Sequence, residues 1–285
     1  MFDVVFVTRY RDSRSFWLAQ QTFATGLRGA GRIFAVVPDA ELPLYERLPL
    51  AATVVPESRI DPRISALENG WFKQQLIKLC VHRFIEQPAA LILDSDIYLC
   101  RPVEAAWFLH DGKLPFYVED ETGATHPDWR AAAEVALGHE SYKQWSYFPT
   151  PNFVHCEALQ ALHDYLGELW GGDPIDGLIA RLGRYTEWQM YGLFVDELMA
   201  EDSPHVLREP THVLGLWDAK DFEAWNPGEA PAELDQAPPL IVVQSVIGAP
   251  WPAVIDKLRH YPHIAPHIAP HIARSMTPEV TREHT

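Results

Sequence analysis

The chain has 285 residues, 47% of them apolar, and a formal net charge of −16. That is enough apolar side chain for a full core, in one large domain or two small ones, and it excludes a disordered chain. The acidity excludes a general nucleic-acid binder, whose affinity rests on Lys and Arg neutralising phosphates, but leaves room for a small anion bound at a local positive site. The three cysteines, Cys80, Cys100 and Cys156, form no Cys-x-x-Cys pair, so neither a zinc ribbon nor a disulfide framework is indicated.

The chain opens directly on an apolar strand at residues 3–7, with no basic segment before it and no run of ~18 apolar residues that could span a bilayer. A cytoplasmic protein is the expectation, with peripheral contact at the inner face of a membrane left open by the 10 tryptophans. Thr8, Arg9, Tyr10 and Arg11 follow the strand, where the first loop of an α/β fold faces the ligand. Neither a G-x-G-x-x-G nor a G-x-x-x-x-G-K-[ST] stretch is present, which removes the dinucleotide fingerprint and the P-loop. A helix is expected over 13–27, closed by Gly29 and Gly31, then strands over 32–37 and 52–55. This strand–helix–strand rhythm is that of an α/β protein.

Residues 69–84 read as a helix, with Phe72, Leu76, Leu79, Cys80 and Phe84 on its apolar face and Gln74, Gln75 and Lys78 on the other side. It leads into the dry strand 90–93, which stops on Asp94-Ser95-Asp96. Ionised carboxylates are expensive to bury unpaired, and two so close repel without a cation between them. If the strand continues, its period of 2 turns both to one side, where they suit a divalent metal with oxygen ligands. A solvated Asp-Ser-Asp turn is the plainer alternative.

A further strand at 114–118 ends in Glu119-Asp120-Glu121, and 122–148, with weak periodicity, reads as an inserted, substrate-facing region. A strand at 153–156 precedes helices over 157–170 and 174–182. Thr186-Glu187-Trp188-Gln189 has the form of a capping box opening a helix to 199. Glu187 there is accounted for either by the helix dipole or by a catalytic role. A last strand covers 240–246, with a short helix beyond it. The tail repeats Pro-His-Ile-Ala from Pro262, Pro266 and Pro270. Proline at every fourth position forbids a regular helix, so 259–285 reads as a low-complexity tail, and metal binding by His263, His267 and His271 is the lesser alternative.

Leu91-Ile92-Leu93-Asp94-Ser95-Asp96 resembles the D-x-D motif of glycosyltransferases of the GT-A fold. Residues 70–79, Gly-Trp-Phe-Lys-Gln-Gln-Leu-Ile-Lys-Leu, and Thr186-Glu187-Trp188-Gln189-Met190-Tyr191-Gly192 resemble motifs of a bacterial family of glycosyltransferases. The resemblance runs from about residue 2 to 258. It implies a GT-A (Rossmann-like) nucleotide-diphospho-sugar transferase fold with a central, mostly parallel mixed sheet flanked by helices. Residues 1–103 would form the nucleotide-binding half and 104–258 the acceptor-side half. The activity implied is transfer of a sugar from a nucleotide-sugar donor, a UDP-sugar first, to a glycan or lipid-linked acceptor in bacterial surface polysaccharide synthesis.

The roles implied are these. Asp94 and Asp96 hold Mn²⁺ or Mg²⁺, and Asp94 and Glu187 are catalytic. Thr8, Arg9, Tyr10, Arg11 and Ser95 bind the nucleotide. Lys73, Gln74, Gln75 and Lys78 face the diphosphate and donor sugar, and Asn152, Tyr191, Glu119 and Asp120 the acceptor. The chain departs from similar enzymes at 245–251, Ser-Val-Ile-Gly-Ala-Pro-Trp, which has neither the His nor the Lys of their His-x-x-Gly-x-x-Lys-Pro-Trp segment. The third metal ligand therefore stands between Gln244, Ser245, His212 and water. A sugar-nucleotidyltransferase is the second reading, set back because the first glycine after the opening strand is Gly26. A non-catalytic carbohydrate-binding protein on the same fold is the third.

Overall fold

The computed structural model describes residues 1–120, 127–143, 145–147, 150–229 and 238–268. Strand β1 (Asp3–Val7) is buried at every position. Such an unbroken apolar run belongs to a strand covered on both faces, as parallel sheets are. After it come α1 (Ser13–Gly26), β2 (Ile33–Val37), β3 (Thr53–Pro56), α2 (Gly70–Leu79), β4 (Ala89–Asp94) and β5 (Ile97–Leu99). The chain continues through β6 (Leu114–Asp120), α3 (Pro127–Leu137), β7 (Trp145–Tyr147), β8 (Asn152–His155) and α4 (Cys156–Trp170). It is completed by α5 (Glu187–Leu193), β9 (His205–Arg208), β10 (Val213–Leu216), β11 (Leu240–Val243) and α6 (Trp251–Leu258), with shorter turns between.

The main sheet has the order β8-β4-β1-β2-β3. β4, β1, β2 and β3 run parallel and β8 antiparallel at the edge, so the sheet is mixed and mostly parallel, as expected. Two smaller sheets, β9-β6-β7 and β10-β11-β5, flank it. Val242 of β11 lies opposite Ile97 of β5. Asp94-Ser95-Asp96 is thus the joint at which the chain leaves the main sheet for a smaller one. The strand ends at Asp94 and turns, so the alternation that would align the two carboxylates does not extend to Asp96.

Apolar side chains fill both faces of the main sheet. Phe6, Phe16, Phe23 and Phe153 lie in one core and Leu76, Ile77, Ile92, Leu159 and Trp188 in the other. Each such burial contributes ~1.5–3 kcal/mol. The second core fixes α2 and α5 beside the C-terminal end of β4, and this placement creates the site.

Several elements differ from the sequence expectation. The first helix stops at Gly26 because Leu27–Arg28 pairs with Val103–Glu104. The helix from Glu187 changes at Phe194–Leu198 to a wider π turn. The described part of the region 122–148 is less irregular than its weak periodicity suggested. It carries α3, whose Ala133, Ala136 and Leu137 are buried in the second core, and β7, which pairs with β6. The expected tail also begins later. Tyr261 stacks on Trp225 at 6.2 Å, Ile264 is fully buried, and His263 Nε2 lies 2.9 Å from the carbonyl oxygen of Thr22. The first repeat therefore belongs to the core packing, while His271 lies outside the described residues.

Candidate active site

The site is built where α2 and α5 meet the end of β4. Lys78, near the C-terminus of α2, is buried among three partners. Its Nζ lies 3.1 Å from Oδ1 of Asp94 and 3.1 Å from Oε1 of Glu187. It donates a hydrogen bond to Glu187, while the approach to Asp94 is an ion contact without hydrogen-bond geometry. The indole of Trp188 lies 5.5 Å from the same ammonium. Burial alone would lower the Lys78 pKa, but Asp94 and Glu187 together outweigh it and hold the side chain protonated above its ordinary value. Two residues 109 positions apart in sequence, Lys78 and Glu187, thereby fasten α2 to α5.

Asp96 is buried. Its Oδ2 accepts from the backbone N–H of Ser245, 2.8 Å away, and its Oδ1 has no hydrogen-bond partner among the described residues. Burial first, and the neighbouring Asp94 second, push its carboxyl pKa up to about 7. Asp94, by contrast, keeps its side chain 27% exposed, the open edge of the cluster. Among the described residues no group of three or more His, Cys, Asp or Glu side chains is placed to hold a metal ion. The donor chemistry nevertheless fits an open site. The unpartnered Asp96 Oδ1 and the accessible Asp94 carboxylate are hard oxygen ligands, and Mg²⁺ or Mn²⁺ commonly keeps water or phosphate oxygens in its other positions.

The expected third ligands separate clearly. Gln244 and Ser245 follow β11 directly and stand beside Asp96. His212 does not: it precedes Val213, which pairs with Leu240, whereas Asp96 meets Val243. Three residues of strand separate the two levels, on the order of 10 Å. The His212 ring packs instead on Trp107, 4.5 Å between centroids. It belongs to the opposite end of the small sheet.

The loop after β1 reaches the same joint. Ser95 Oγ donates to Thr8 Oγ1 at 2.7 Å, so these two hydroxyls tie β1 to the Asp-Ser-Asp turn. Arg9 lies across the start of α2; a Cβ on Gly70 would stand 1.4 Å from its Nη2, so glycine is what gives the guanidinium room. Among the described residues the Arg9 guanidinium makes no hydrogen bond or ion pair, while its carbonyl accepts from the Asp12 N–H at 2.9 Å and its charge acts on the Glu57 carboxyl. Tyr10 is half-buried, its ring edge-on to Tyr45, and its N–H donates to Glu41. Arg11 is 73% exposed and paired with Asp12, outside this convergence.

Other expected site residues are committed elsewhere. Lys73 donates to Glu57 Oε2 and to the Ser65 carbonyl, both at 2.8 Å, and is spent on holding the chain before α2. Gln74 is half-buried, while Gln75 is buried with neither amide atom partnered among the described residues. Asn152 lies in the core, and its Oδ1 accepts from the backbone N–H groups of Tyr117 and Phe153. The Tyr191 hydroxyl is buried, accepting from the His155 N–H and sharing a 2.8 Å hydrogen bond with His205. Asn152 and Tyr191 thus splice strands together and offer no surface to an acceptor. Glu119 is half-buried, its pKa raised by burial, and pairs in register with Ser146. The Ser146 hydroxyl takes the Gln189 amide, two residues from Glu187, so Glu119 is in the neighbourhood of α5. The side chain of Asp120 and all of Glu121 lie outside the described residues.

The capping box does not form. Thr186 makes no side-chain cap bond, and Gln189 turns away to Ser146 and the Tyr147 carbonyl. Sequence reasoning also passed over Trp188 as a partner of Lys78. Its position next to Glu187 was the available signal, but the lysine is remote in sequence.

This arrangement is that of a GT-A fold. A structure of the galactosyltransferase LgtC, solved in complex with donor and acceptor sugar analogs, superposes with a TM-score of 0.50 at 10% identity, covering 97% of this chain and 100% of that one. An active-site mutant of LgtC gives 0.52, again at 10% identity with 97% and 100% covered. Mouse xyloside xylosyltransferase 1, in its apo form, gives 0.46 at 11% identity, with 86% of this chain and 98% of that one covered. At 10% identity the likeness to the two LgtC structures is one of fold. Residues 16–266 match the model of a family described as "Family of unknown function (DUF6492)", and the chain belongs to that family. No curated protein matches the sequence. Among the described residues no helix is long and apolar enough to cross a membrane.

Proposed function

We propose that this protein is a metal-dependent glycosyltransferase, moving a sugar from a nucleotide-sugar donor, a UDP-sugar first, to a glycan or lipid-linked acceptor. The observation that carries the reading is the meeting of Asp94, Asp96, Lys78 and Glu187 at the C-terminal end of a central parallel strand, where α/β folds bind ligands. A site of three carboxylates and one ammonium retains acidic character and suits a cation that bridges to a diphosphate.

In this reading Asp94 and Asp96 hold Mn²⁺ or Mg²⁺, with Ser245 or Gln244 beside them. A bound metal supplies charge stabilisation to the departing diphosphate. Lys78 adds a fixed positive charge at the same place and sets the position of Glu187, which we assign to the donor sugar or to the acceptor hydroxyl. Arg9 and Tyr10, with the Thr8–Ser95 pair behind them, form the nucleotide side, and Gln74 and Gln75 line the sugar side. Glu119 stands on the acceptor side. The reaction serves bacterial surface polysaccharide synthesis at the cytoplasmic face of the membrane.

The test is thermal unfolding against a panel of nucleoside diphosphates and nucleotide sugars, with and without Mn²⁺. A ligand that binds only the folded state stabilises it by ~2.7 kcal/mol at a hundredfold excess over its dissociation constant. A Mn²⁺-dependent rise with one nucleotide class is expected. No rise with any of them would leave the fold without this activity.

A further inference from the structure

Trp71, in the first turn of α2, exposes 47% of its surface. Large aromatic side chains gain most when buried, so an indole held in water at the rim of a site is a feature to be explained. It is not isolated. The Trp129 ring of α3 lies 6.3 Å from it with 39° between the planes, and the Phe72 ring lies 5.3 Å away. A 6.3 Å separation between ring centroids is too small for a flat base to slip between the indoles, so the pair is not a slot.

Its place relative to the site follows from the helix. Trp71 and Lys78 are seven residues apart, which returns to nearly the same face after two turns and sets them about 10 Å apart along the axis. Gln75 is on the same stripe, between them. The stripe also adjoins the nucleotide side, because Arg9 lies over Gly70, the residue before Trp71. Arg9 follows Thr8, which is bonded to Ser95 between the two aspartates.

We infer that Trp71 and Trp129 form the acceptor platform, on which a pyranose ring of a saccharide chain lies with its C–H face against the indoles. This rests on the glycosyltransferase reading and adds the acceptor class and its binding residues. The ~10 Å of helix between Trp71 and Lys78 is the length of about two sugar units, so a chain seated on the indoles and running along α2 presents a hydroxyl near the donor.

The test uses the full chain and the variants Trp71→Ala, Trp129→Ala and Trp71→Phe. The probes are hexasaccharides of β-1,4-glucose, β-1,4-N-acetylglucosamine and alternating glucuronate and N-acetylglucosamine. Binding is read by calorimetry and tryptophan emission, with the nucleotide-dependent melting shift as a parallel measurement. Saturable binding of at least one hexasaccharide is expected, weakened tenfold or more in both alanine variants and largely restored by Trp71→Phe, with the nucleotide shift unchanged. Absence of saccharide binding, or binding undiminished in both alanine variants, would overturn the platform while an intact nucleotide shift upheld the transferase. Variant-sensitive binding to anionic phospholipid vesicles in place of saccharides would also overturn it, and assign the indoles to a membrane surface. Loss of the nucleotide shift in the wild type would instead remove the reading beneath it.

Discussion

Lys78 and Glu187 meet inside the protein with 3.1 Å between Nζ and Oε1, and Asp94 flanks the same ammonium at the same distance. Deleting one member of a buried ion cluster leaves its partners charged and unpaired, which costs ~3–5 kcal/mol. Lys78→Met is therefore expected to lower the unfolding free energy by that amount, and Glu187→Gln by less, since Asp94 still balances the lysine. Urea unfolding measures both. A Lys78→Met loss under ~1 kcal/mol would mean that the cluster is not formed in solution.

Asp96 presents the opposite case, a carboxylate buried beside another with one oxygen unpartnered. Removing its charge should relieve the metal-free fold. Asp96→Asn is expected to raise the unfolding free energy at pH 8 in the presence of a chelator, by an amount on the order of 1–3 kcal/mol. The same variant should lose the stabilisation that Mn²⁺ gives the wild type. A variant that still responds to Mn²⁺ as the wild type does would remove Asp96 from the metal site.

Much of this was legible in the sequence, for identifiable reasons. β1 and β4 are short apolar runs between polar ends, and such runs have few places to go other than a covered sheet. The Asp-Ser-Asp joint was visible because buried strands seldom end on two acids. Less legible was anything that depends on partners distant in the chain. Lys73 and Lys78 look alike on one helix, yet Lys73 is taken by Glu57 and Lys78 by Glu187. Asn152 and Tyr191 have the polarity of site residues but serve backbone groups and a buried histidine. The capping box failed because Ser146 and Tyr147, brought in by β7, compete for Gln189. The repeat at 262–265 read as tail because its composition hides a socket supplied by α1.

Gly70 separates stability from function. The three heavy atoms nearest to a Cβ there, among the described residues, all belong to the Arg9 guanidinium, the far end of a flexible side chain. Gly70→Ala should leave the melting temperature nearly unchanged, because Arg9 can swing away and alanine suits a helix better than glycine. Nucleotide affinity should fall, by roughly tenfold for a lost charge-assisted contact of ~1.5 kcal/mol. Calorimetric titration with the nucleotide that gives the melting shift measures it, and unchanged affinity would place Arg9 outside the nucleotide side.

His163 sets part of the response to acid. It is buried, its Nε2 lies 3.0 Å from the Leu79 carbonyl oxygen, and burial lowers its pKa to about 4. In the unfolded chain a histidine titrates near ~6.5. The folded value is the lower one, so between about pH 6.5 and pH 4 the unfolded state takes up a proton that the folded state refuses. Stability is therefore lost as pH falls through that window, at ~1.4 kcal/mol per pH unit for one proton. His163→Gln keeps an N–H to offer the Leu79 carbonyl and has no such titration. The difference in unfolding free energy between wild type and variant, measured in urea at pH 7, 6, 5 and 4.5, is expected to move toward the variant by about that slope. Comparing the two chains cancels groups remote from position 163; His82, whose ring lies 4.9 Å away, is present in both, and its own lowered pKa comes first from burial and only second from His163. A difference that stays flat across the series would show that His163 reaches water in solution.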